Sequence, residues 1–166
     1  MAYVHRFKDY KVMKDISYSL EILKVTRTNV INLIDSLSYE QLVKVPQGFN
    51  NSIIWNAVHN LTVQQLLCYK LSGLEINVPE KFMEGYKKGA DGKSVILESE
   101  LEEFKSLYFS TIELLNLDYS SGKFQQFTEY TTSYNITLKS VEDVINFNNT
   151  HEGLHFGYMM ALKKAL

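Results

Sequence analysis

The sequence predicts an all-α protein, a four-helix bundle with a long crossover between the second and third helices. Three observations carry this. Apolar residues recur at three- and four-residue spacing in four separate stretches, helix-capping residues precede several of them, and residues 72–94 lack any such period. That aperiodic stretch holds Gly73, Gly85, Gly89, Gly92 and the pair Val78-Pro79, so it reads as a connection long enough to cross the length of a bundle. At 166 residues, with 45% hydrophobic and 22% charged side chains, a single domain over residues 1–166 with an ordinary core is expected.

The first helix is expected from Ile16 to Leu37, where Ile16, Leu20, Leu23, Val30, Leu33 and Leu37 fall on one side. A short turn follows, with Ser38-Tyr-Glu-Gln41 as a capping-box candidate, and Pro46 and Gly48 then break the pattern. Asn50, Asn51 and Ser52 offer side-chain oxygens to cap a second helix from Ser52 to about Leu71. Ser99 and Glu102 form another capping-box candidate, opening a third helix that ends near Leu117. Residues 118–137 are rich in Tyr, Thr and Phe with partial alternation, which allows some extended chain. Ser140 caps the fourth helix, whose inward stripe is expected to run Val141, Val144, Asn148, His151, His155, Tyr158 or Met159, Leu162 and Leu166.

Charge and composition exclude several functions. A net charge of −2 provides no basic footprint for nucleic acid, and no run of about eighteen apolar residues is present to span a membrane. The opening MAYVHRFKDYKVMKD lacks the apolar run of a secretory signal and there is one cysteine, Cys68, so a reducing, cytoplasmic setting is expected. Cys68 lies roughly half a turn out of phase with His59 and reads as a core thiol.

His151, Glu152 and His155 spell H-E-x-x-H, the pattern of a helical zinc-protease site. Two imidazoles four residues apart project within roughly 40° of one another on a helix and can share one ion. The protease reading fails for want of a third ligand: FGYMMALKKAL, which follows His155, contains no His, Asp or Glu. A third ligand must come from upstream, and His59 in the second helix is a stronger candidate than His5 in the N-terminal arm. Inward-facing imidazoles are costly to desolvate unless hydrogen-bonded or shared by a cation, and the residues alone leave both readings open. Glu152 flanks the expected metal face, as a general base or as a supporting or outward carboxylate. Gln64 and Gln65 read as solvated flanking residues.

Asn51-Ser-Ile-Ile-Trp55-Asn-Ala-Val-His59 resembles the start of the second helix in the DinB/YfiT-like superfamily, and His151-Glu-Gly-Leu-His155-Phe-Gly157 resembles its last-helix motif. The order of parts agrees over nearly the whole chain. The resemblance implies a bundle holding one divalent metal, zinc or nickel, between His59, His151 and His155, with a coordination position open to water or substrate. It further implies a metal-dependent transferase or hydrolase acting on a small molecule, such as a thiol S-transferase using a low-molecular-weight thiol, and a homodimer. Its alternative is a non-catalytic metal-stabilised bundle with a stress-response or interaction role. An open coordination position favours the enzyme and a fourth protein ligand the structural role.

Overall fold

The computed structural model describes residues 14–166. The architecture is all-α, as expected, with helices α1 (Ser17–Asp35), α2 (Tyr39–Val43), α3 (Ile53–Gln64), α4 (Leu101–Ser120) and α5 (Val141–Lys164). α5 packs on both α1 and α3, α1 also packs on α4, and the short α2 lies against α3. Two apolar clusters fill the interior. One is built around Ile34, Ile53, Val58, Phe82 and Phe104, and the other around Leu23, Tyr69, Leu115 and Val144.

Local chemistry starts the helices. Ser38 and Gln41 form a reciprocal capping box, and this converts the expected turn into α2. Ser52 Oγ accepts from the Trp55 N–H at 3.2 Å, and Ser140 Oγ accepts from the Asp143 N–H at 3.2 Å. Ser99 does not cap α4. A 3₁₀ turn at Glu98–Glu100 precedes that helix, and the Glu100 carboxylate reaches back to accept from the Leu97 N–H at 2.8 Å. Glu142 and Asp143 in the first turn of α5 and Lys163 and Lys164 in its last complement the helix dipole.

The second helix is not a uniform α-helix. After Gln64 it widens into a π turn at Gln65–Tyr69, tightens into a 3₁₀ turn at Lys70–Ser72, and stops at Gly73 in the left-handed conformation. The crossover carries short 3₁₀ turns at Glu80–Phe82 and Glu84–Tyr86. It is fastened to one face of α3 by hydrogen bonds from residues 55, 59 and 62. Trp55 Nε1 donates to Gly85 O (3.0 Å), His59 Nδ1 meets Tyr86 O, and Thr62 Oγ1 donates to Phe82 O. A Cβ on Gly85 would run into the side chain of Ser94, so the close approach of these two parts of the crossover requires glycine. The extended chain allowed after α4 is a small antiparallel hairpin, β1 (Tyr130–Thr131) and β2 (Thr137–Leu138), turning through Asn135 at φ 61°.

α5 buries Val141, Val144, Asn148, Met159 and Leu162 of the expected stripe, together with Ile145 and Glu152, while His151 and His155 are half-buried at its edge. The Glu152 carboxylate is fully buried and paired with fully buried Arg27 of α1, with Nη2 to Oε1 at 2.7 Å and Nε to Oε2 at 3.0 Å. Arg27 also donates to Tyr108 O and to Thr111 Oγ1 of α4 (3.0 Å), and its guanidinium stacks over the Tyr108 ring. Burial opposes the Arg27 charge, but Glu152 outweighs it and holds the guanidinium pKa above its ordinary value. Gln64 and Gln65, expected in solvent, are both buried. Gln64 Nε2 donates to Thr111 O (3.3 Å) and Gln65 Oε1 accepts from the Asn77 N–H (2.9 Å).

Candidate metal centre

His59 from α3 and His151 and His155 from α5 converge: one ligand nitrogen from each lies within 4.8 Å of the others. Their ring centroids are 4.6–5.3 Å apart. His5 lies outside the described residues. Among the described residues no fourth His, Cys, Asp or Glu joins this group. Glu152, between the two histidines in sequence, does not enter the cluster, because its oxygens face Arg27 on the opposite flank of α5.

Two of the three imidazoles are oriented by acceptors on the remote ring nitrogen. His59 Nδ1 donates to the backbone carbonyl of Tyr86, and Trp55 stacks on the ring at 4.8 Å and 13°. His155 Nδ1 donates to Asn56 Oδ1 at 2.8 Å. The amide of Asn56 is itself fixed, since its Nδ2 donates to Asn51 Oδ1 (2.8 Å) and Ser52 O (2.7 Å), leaving only the oxygen for histidine. A proton held at Nδ1 leaves the Nε2 lone pair of both rings free to ligate. His151 differs: its Nδ1 is buried and has no hydrogen-bond partner.

The electrostatics favour neutral rings. Loss of solvation, then the nearby charges of His155 and His59, push His151 down to about 3. Loss of solvation and the neighbouring His59 push His155 down to about 4. Loss of solvation also lowers His59, against the opposing hydrogen bond to Tyr86. Three uncharged imidazoles, two with defined tautomers and one with an unpartnered nitrogen, are a donor set suited to a borderline divalent cation such as zinc or nickel.

The cluster opens on a pocket of about 250 Å³. α3 and its π turn form one wall, α5 another, the β1–β2 turn a third, and Lys88 of the crossover stands at the edge. The hairpin is held over the pocket by a ring contact between Tyr134 and Phe147 at 6.1 Å, and Phe147 lies 6.1 Å from His151. A π turn lining a pocket beside a candidate ligand histidine is a common functional use of that geometry. Sequence reading did not find these walls. The hairpin and Lys88 reach the site only through tertiary folding, and the carbonyl of Tyr86 has no side-chain signature.

The fold and site define a class: an all-α protein with a three-histidine cluster from two facing helices, open on one side and suited to a metal ion. The chain belongs to the DinB superfamily, whose family model matches residues 22–159. Comparison with curated proteins finds no match. No described helix is long and apolar enough to cross a membrane.

Proposed function

We propose that this protein is a metal-dependent enzyme in which His59, His151 and His155 hold one divalent ion, zinc or nickel, and a small molecule reacts in the adjoining pocket. The observation that carries this reading is the one-sided opening of the histidine cluster, with three imidazoles facing a 250 Å³ pocket and no fourth described ligand to close the site. A structural site would be closed by protein. The ion, when bound, supplies Lewis acidity that lowers the pKa of a coordinating water or thiol.

The chain's own residues do the rest. Tyr86 O and Asn56 orient His59 and His155 so that neither ring must reorganise on binding the ion. Val63, Leu66 and Phe147 in the pocket wall exclude water from the reacting atoms. Glu152 is committed to Arg27, so its part is to set the rotation of α5 between the two histidines, and proton transfer in the pocket falls to another group or to solvent. Transfer of a low-molecular-weight thiol to an electrophile is the reaction class that best fits an apolar pocket beside a thiophilic ion.

The test is metal analysis of protein purified without added metal, followed by a screen of thiol cosubstrates against electrophiles. About one equivalent of zinc or nickel, with thiol consumption that stops on chelation, is the expected result. Failure to bind either ion on titration would overturn it.

A further inference from the structure

We propose that Lys88 anchors an anionic group of the substrate, so that the molecule handled here is a small acid with an apolar or aromatic body. The inference rests on the metal-site reading for the location of the reacting atom, but the part played by the lysine is separable from it. The pocket holds no carboxylate, and Lys88 is the only Lys, Arg, Asp or Glu among its described lining residues. Its neighbour Lys87 is paired with Glu84 at 2.5 Å, whereas Lys88 makes no ion pair or hydrogen bond with any described residue.

The remaining wall fits the rest of such a molecule. Val63, Leu66 and Leu67 face the pocket from the second helix, and Phe147 and Leu154 from α5. An apolar body packed there would place its charged end at the polar rim, where an ammonium on a flexible stem reaches it. The same cation, together with a dication on the histidines, repels positively charged substrates and leaves neutral ones without an anchor. The volume of about 250 Å³ limits the ligand to a small molecule.

The test uses two aromatic thiols whose sulfur ligates zinc and whose far ends differ, 4-mercaptobenzoate and 4-methylbenzenethiol, titrated calorimetrically into zinc-loaded wild type, K88Q, K88E and K88R. Affinity for the carboxylate probe is expected to fall about fivefold in K88Q, a loss of about 1 kcal/mol as for a partly exposed ion pair, and further in K88E. K88R should keep it, and the methyl probe should be unchanged throughout. Equal changes for both probes, or none for the carboxylate, would overturn the proposal. Zinc binding is measured first in the same calorimeter. If zinc does not bind, the metal reading falls by itself, and the same two probes titrated into metal-free protein decide the role of Lys88. Absence of binding by either probe to either form would also overturn it.

Discussion

Asn56 shows how much a single amide can settle. Its nitrogen is used by Asn51 and Ser52, so its oxygen is the one acceptor presented to His155. Asn56→Ala should therefore weaken metal binding by about 10–100-fold, the usual cost of losing a partner of a ligand histidine, and competition with a chromogenic chelator measures it. Unchanged affinity would mean that packing alone orients the ring. Cys68 is the opposite case, a reactive residue type made inert by its place. It is fully buried, and burial, moderated by Arg27 and reinforced by Glu152, pushes its thiol up to about 12. At pH 8 it is thus protonated as well as inaccessible. Iodoacetamide should label it only at the rate of unfolding, and rapid labelling of native protein would show an opening of the core beside α5.

Among the elements, α5 depends most on a single pairing. Arg27 ties α1 to α5 through Glu152 and to α4 through Tyr108 and Thr111, with all charges out of water. Arg27→Met leaves Glu152 buried and unpaired and should destabilise the fold by about 3–5 kcal/mol in urea denaturation. The double variant Arg27→Met with Glu152→Leu removes both charges and should recover most of that loss. If the double variant is as unstable as the single one, the network contributes packing shape instead of charge balance. The crossover is held more diffusely, by three hydrogen bonds from successive turns of α3, so no single substitution there is expected to release it.

On the scale of the whole molecule, the question is whether the proposed ion builds the fold or works inside it. The apolar interior is extensive without any metal, and His155 is half-buried, so its removal deletes little packing. His155→Ala should lose stoichiometric zinc and any activity, yet melt within about 4 °C of chelator-treated wild type, a difference of about 1 kcal/mol at this size. Loss of cooperative melting in both metal-free samples would make the ion structural, as in a zinc finger, and would favour the non-catalytic alternative. Association belongs to this scale too. Tyr18, Ile22 and Val25 on α1 and Met160 on α5 are exposed, and these helices pack side by side. This surface is expected to support a homodimer with twofold symmetry. Light scattering at high protein concentration should give twice 19.2 kDa, and a clean monomer would exclude it.

The sequence by itself determined the helices and the identity of the three convergent histidines. Helical periodicity and caps such as Ser38, Ser52 and Ser140 act within one or two turns of chain, so they are written locally. The spacing of His151 and His155 is likewise a property of one helix. Tertiary structure decided what each helix turns toward. Charged residues are assigned to solvent by default, so the sequence did not reveal that Arg27 and Glu152 hold each other in the core between α1 and α5. The buried Gln64 and Gln65 were misread for the same reason. Nor does any residue type announce that its backbone carbonyl will orient a site histidine, as that of Tyr86 does, because every residue carries that atom and only the path of the crossover brings one of them to His59.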